Sequence, residues 1–138
     1  MKRYVVGFMF DDEIENVCMI VKNRPAWQQG LLNGIGGKSH DGEEPLAAME
    51  REFEEETGVN TRALRWLPVC TLQYSNAGID VFAANNTSAF QSVETCTDEI
   101  IKKIPLAQLS SYDVVENIPP LIELSIQRLQ GRPRISPR

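Results

Sequence analysis

Short apolar, β-prone runs alternate along the chain with two segments in which apolar residues recur at helical spacing. Residues 2–10 and 17–21 are such runs. Asp11-Asp12-Glu13 between them reads as a turn, which predicts a hairpin or two neighbouring strands. Residues 22–33 read as a loop carrying Pro25, Trp27 and Gly30, and Gly34-Ile35-Gly36-Gly37 is too glycine-rich for a stable strand interior. Such a stretch suits a backbone that comes close to a ligand. Residues 63–74 predict a long strand, interrupted or bulged near Pro68, and residues 79–84 predict another. Residues 85–97 form a polar excursion, residues 100–104 a short strand, and residues 105–109 a turn or short helix.

The first helical segment covers residues 45–57. Pro45 suits a first turn, where its missing N–H is no loss, and Gly58 suits the left-handed residue past a helix end. Leu46, Met49 and Phe53 recur at spacings of three and four, forming an apolar stripe that faces a core. Glu52, Glu55 and Glu56 share an adjacent face, where like charges at that spacing repel. Arg51, four residues before Glu55, is placed to hold one of these carboxylates through a charge-assisted bond. The second segment, residues 114–129, has largely helical apolar spacing with Pro119-Pro120 near its start. Strands mixed with two main helices predict an α/β sandwich.

At 138 residues the chain is expected to form a single domain over residues 1–131, with the Pro- and Arg-rich residues 132–138 as a flexible tail. A formal net charge of −5 argues against a general nucleic-acid or membrane-surface binder. No apolar run approaches the length of a transmembrane helix, and the N-terminus lacks the layout of a signal peptide. Cys18, Cys70 and Cys96 are odd in number and widely spaced, reading as reduced, cytoplasmic side chains.

The acidic helix face carries the chemistry. Gly37, five residues, Glu43, seven residues, then Arg51-Glu52-Phe53-x-Glu55-Glu56-x-Gly58-Val59 fills every fixed place of the Nudix box. The chain thus resembles a MutT-like Nudix hydrolase. The resemblance implies an α/β/α sandwich with a mixed β-sheet and hydrolysis of a diphosphate linkage in a nucleoside diphosphate derivative. It also implies Mg²⁺ or Mn²⁺, hard cations that take oxygen ligands and would relieve the carboxylate repulsion. By the same resemblance Glu52, Glu55 and Glu56 are metal ligands and the Gly36 carbonyl is a further one. Glu43 orients water or an outer ligand, Arg51 belongs to the catalytic set, and one of the helix glutamates is the general base. Glu99 is the expected ligand from a later loop, with Asp98 and Glu94 as competitors and a plain surface acid as the ordinary alternative.

Substrate contacts are expected from Lys38, Arg24, Trp27 and Asn33. Lys38 and Arg24 are candidates for phosphate, and each is otherwise an ordinary loop residue. Asn33 stands where related enzymes that clear oxidised purine triphosphates read the base. Its carboxamide can pair donor and acceptor to a purine edge, or simply cap a turn. Trp27 would stack on a base or cap the core, and Glu116 and Asn117 would approach the base from the second helix. His40 reads as a bystander. The expected activity is that of a nucleoside triphosphate pyrophosphohydrolase acting on a small-molecule nucleotide, with no nucleic acid and no membrane as partner and a homodimer possible. Tyr74 keeps open a dinucleoside polyphosphate or other NDP-X hydrolase, and a non-catalytic nucleotide-sensing module is the reading from another class.

Overall fold

The computed structural model describes residues 1–131. The tail expected at residues 132–138 lies outside the described residues. Strands β1 (Lys2–Phe10) and β2 (Asn16–Val21) form the expected antiparallel hairpin, with Met9 opposite Cys18 and Phe10 opposite Val17. β2 also pairs with β3 (Leu32–Asn33) and with β7 (Ile101–Pro105). β1 is central: β4 (Ile35–Lys38) lies antiparallel along its first half, and β6 (Ala77–Asn85) runs parallel along its full length. β5 (Leu67–Gln73) closes the other edge against β6, with a register shift between Pro68 and Cys70. The result is a mixed seven-stranded sheet.

Alternation along β1 divides the interior. Val5 and Met9 are fully buried with Ala48, Met49 and Phe53 of helix α1 (Pro45–Thr57). Phe8 and Phe10 point to the opposite face and pack with Ile118, Leu121 and Ile122 of helix α3 (Ile118–Gln130). Side chains of a strand alternate between faces, so a single apolar run supplies both layers of an α/β/α sandwich.

Several elements differ from the sequence reading, among them β3, which lies within residues 22–33, expected as a loop. Most of the glycine stretch is a strand, β4, paired along β1, and a Cβ on Gly36 would lie 1.9 Å from the Val5 carbonyl oxygen. There glycine permits close approach of the protein's own backbone. The polar excursion contains helix α2 (Thr87–Ser92), capped by Asn86, whose side chain accepts from the Ala89 N–H. β5 begins at Leu67, four residues later than expected, and α3 begins at Ile118, because Val114 is held beside Leu32 in an isolated bridge. Within α1, Ala48 takes the core place expected of Leu46, which is 44% exposed. Among the described residues no helix is long and apolar enough to cross a membrane.

Candidate active site

α1 starts at Pro45 and ends at Gly58, whose φ of 78° is the left-handed value that stops the helix. The helix lays Glu52 under β4: the residue is 9% exposed, and a Cβ on Gly37 would meet Glu52 Oε1 at 2.5 Å. The fixed glycine of the motif therefore clears room for a carboxylate. Burial raises the Glu52 pKa, Arg51 opposes the rise, and nearby Glu55 and Glu56 add to it.

Arg51 holds three carboxylates where the sequence suggested one. Its Nε and Nη2 donate to Glu43 at 2.8 and 3.0 Å, a bidentate pair. Its Nη1 donates to Glu52 at 3.0 Å and to Glu55 Oε2 at 3.2 Å, and Nη2 also reaches the Lys38 carbonyl. The Arg51 hydrogen bond, joined by the His40 backbone N–H, pulls the Glu43 carboxyl from 4.5 down to about 2. His40 thus contributes its backbone, and its ring Nδ1 lies 4.0 Å from Glu43.

Glu56, at the end of the helix, accepts from Thr97 Oγ1 at 3.0 Å. Burial raises its pKa, the Thr97 bond opposes the rise, and Glu99 adds to it. Glu99 is 4% exposed and fully engaged: it accepts from Lys22 Nζ at 3.1 Å and from the backbone N–H groups of Asn23 and Arg24 at 2.7 and 3.4 Å. These bonds outweigh burial and lower its pKa. The Arg24 guanidinium pairs with Asp98 beside it. Lys38 lines a cleft of about 550 Å³ together with Arg51, Glu52 and Glu55.

Among the described residues no group of three or more His, Cys, Asp and Glu side chains stands ready to hold a metal ion. Arg51 draws Glu52 and Glu55, Thr97 draws Glu56, and Lys22 draws Glu99. The donor chemistry nonetheless fits a hard divalent cation. The donors are oxygens only, two of the carboxylates are raised in pKa by burial and mutual repulsion, and the Glu52 carboxylate lies in the room that Gly37 leaves by lacking a Cβ.

A second cleft, of about 660 Å³, lies on the α3 side of the sheet. Trp27, Gln28, Asn33, Tyr74 and Asn117 line it with apolar residues of β1, β5 and β6, and no charged side chain among the described residues enters the lining. Trp27 is 67% exposed at the rim, so it does not cap the core. Glu116 is not part of the lining. Asn33 Oδ1 accepts from the Gly34 N–H, and its Nδ2 donates to Gln28 Oε1. Gln28, Lys22 and Thr97 were not found from sequence, since a lone Gln, Lys or Thr in a loop carries no spacing signal.

The family model for the NUDIX domain matches residues 1–115. The chain belongs to the Nudix family. As a Nudix hydrolase it acts on phosphoanhydride bonds, and Nudix hydrolases generally use divalent metal ions. No curated protein matches it significantly. Among solved structures, a MutT from work on Aliivibrio salmonicida and Vibrio cholerae shares 22% identity at a TM-score of 0.75, over 91% of this chain and 98% of that one. The Nudix domain of Shewanella oneidensis NrtR complexed with ADP ribose shares 18% at 0.77, over 92% and 87%. NrtR complexed with a 27mer DNA also shares 18%, at 0.71, over 93% of this chain and 62% of that one. At these identities the likeness is one of fold.

Proposed function

We propose that the protein is a divalent-metal-dependent pyrophosphohydrolase of nucleoside triphosphates, releasing a monophosphate and pyrophosphate. What carries this reading is the pairing of two unlike sites along one stretch of chain: Asn33 lines a neutral cleft, and Gly37, four residues on, covers the Glu52 carboxylate. Four extended residues span about 13 Å, the order of the reach from a base to its distal phosphates. Glu52, Glu55 and Glu56 would hold Mg²⁺ or Mn²⁺ with the Gly36 carbonyl, and Glu99 would be the further acid beside Glu56. Bound metal neutralises phosphate charge and lowers the pKa of water. To join such a site, Glu55 leaves Arg51, and Arg51 stays on Glu43 through its bidentate pair. One of the helix glutamates then takes the proton from water. Lys38 is assigned to phosphate, as is Arg24 when it releases Asp98. The ADP-ribose complex of the NrtR domain supports an NDP-X substrate as the second reading, and Tyr74 at the cleft rim would serve a dinucleoside polyphosphate. The net charge of −5 and the unpaired cysteines favour a small nucleotide as partner and the cytoplasm as location.

A screen of nucleoside triphosphates, dinucleoside polyphosphates and ADP-ribose with Mg²⁺ or Mn²⁺, assaying phosphate and pyrophosphate separately, tests the proposal. Pyrophosphate release from triphosphates is expected, with Glu55→Gln lowering kcat at least about a hundredfold. Full activity in EDTA, or in Glu55→Gln and Glu56→Gln alike, would overturn it.

A further inference from the structure

Glu56 is held differently from its two neighbours on the acidic face. Glu52 and Glu55 each accept from Arg51, whereas Glu56 Oε1 accepts from the Thr97 hydroxyl at 3.0 Å and from no cation among the described residues. The partners settle the direction of that bond. The Glu99 N–H donates to Thr97 Oγ1 at 3.2 Å, so the hydroxyl accepts there. An ionised carboxylate can only accept, so the single hydroxyl proton goes to Glu56. Thr97 is exposed, yet its backbone is held from two sides. On one side the Glu94 and Cys96 N–H groups donate to the Thr57 and Glu56 carbonyls at 3.1 and 3.3 Å, which seats residues 94–97 on the open end of α1. On the other side buried Glu99 anchors the segment to the end of β2, through the Asn23 N–H at 2.7 Å and Lys22 Nζ at 3.1 Å. The Asn23 side chain adds a bond to the Asp98 carbonyl at 2.7 Å.

We infer that Thr97 is a positioning residue: its hydroxyl holds the Glu56 carboxylate on the acidic face, oriented for a divalent cation before the cation arrives. The inference rests on the metal-dependent reading given above and deepens it by a residue outside the motif. Glu99 and Glu55 both repel the Glu56 carboxylate, and repulsion drives a free side chain at a helix end out toward water. The hydroxyl opposes this with no net charge of its own. Arg51 steadies Glu52 and Glu55 with a positive charge that competes with a metal ion for the same oxygens, whereas Thr97 orients Glu56 without that competition. Hydrogen-bond partners of this kind, one step out from the metal, are typically worth about ten- to a hundredfold in metal affinity.

The test is Mn²⁺ binding to the substrate-free protein, read from the electron paramagnetic resonance of free Mn²⁺, for the wild type, Thr97→Val, Thr97→Ala and Thr97→Ser. Thr97→Val keeps the branched shape and removes the donor, Thr97→Ala removes the donor without adding bulk, and Thr97→Ser keeps the donor. Melting in EDTA confirms that each variant is folded at the temperature of the assay. Thr97→Val and Thr97→Ala should each bind Mn²⁺ at least about tenfold more weakly, with Thr97→Ser within about threefold of the wild type. An affinity within about threefold of the wild type in Thr97→Val or Thr97→Ala overturns the inference and leaves the metal site standing. So does a Thr97→Ser protein that binds as weakly as Thr97→Val, because the loss would then follow the methyl group and not the hydroxyl. A wild type that binds no Mn²⁺ removes the metal-dependent reading and the inference with it.

Discussion

Two adjacent glycines in β4 do different work, and the difference is visible only at the level of single atoms. A Cβ on Gly36 would lie 1.9 Å from the Val5 carbonyl oxygen, a backbone atom in the middle of the sheet. A Cβ on Gly37 would lie 2.5 Å from Glu52 Oε1, the end of a side chain. Gly36→Ala must therefore push β4 off β1, and it should lower stability by about 2–3 kcal/mol or prevent folding, as overpacking and broken pairing do. Gly37→Ala should shift the Glu52 carboxylate and lower hydrolysis at least about tenfold with a smaller change in midpoint. Thermal unfolding and kinetics on both variants check this, and equal effects on stability would refute the division. The motif marks Gly37 and Glu52 as fixed places, but their contact crosses from strand to helix and is not legible in their spacing. Asn33 teaches the same lesson. The sequence offers a carboxamide, and only the fold shows that it bonds to the Gly34 N–H and to Gln28.

At the scale of elements, the β1–β2 hairpin was legible because two apolar runs flank an acidic turn. The role of one acid in it was not. Asp11 is buried, and its Oδ1 accepts from the backbone N–H groups of Glu15 and Asn16 at 2.8 and 3.0 Å, while Oδ2 accepts from Asn16 Nδ2 at 2.7 Å. The carboxylate thus replaces missing ladder partners in a turn that carries Ile14 at a φ of 56°. Burial pushes the Asp11 carboxyl up, but the bonds from Asn16 and Glu15 outweigh it and hold it below the ordinary 3.8. A folded-state pKa below the unfolded one means stabilisation that is present above about pH 4 and lost as the pH falls through the folded value. Asp11→Ala should cost about 2 kcal/mol near neutral pH. Denaturant unfolding of both proteins at falling pH should show the gap narrowing below about pH 4, and a constant gap would refute the assignment. α2 escaped notice for a related reason. Six residues carry only Ala89 and Phe90 as buried apolar signal, and the Asn86 cap looks like any turn asparagine.

At the scale of the molecule, the α/β/α arrangement followed from the motif and the two helical segments, but the strand order did not. The parallel pairing of β1 with β6 and the placing of β4 on β1 and β7 on β2 join residues far apart in the chain, which periodicity cannot connect. The same long-range pairings gather charge. Glu43, Glu52 and Glu55 share Arg51, and Glu99 takes Lys22 beside Glu56, so acid exceeds paired base at one edge of the sheet. A divalent ion that binds only the folded protein would relieve this and stabilise the whole domain by mass action. At ten times its Kd the gain is about 1.4 kcal/mol, or about 5 °C in midpoint for a domain of this size. The wild type stripped with EDTA should therefore melt lower than with saturating Mg²⁺ or Mn²⁺. Glu56→Gln should lose much of the shift, because it removes a carboxylate held by the Thr97 hydroxyl and by no cation among the described residues. Arg62→Gln, which removes a guanidinium that donates to Glu54 at 3.0 Å, should retain it. A midpoint indifferent to divalent ions in the wild type would mean that solvent and Arg51 alone balance these carboxylates.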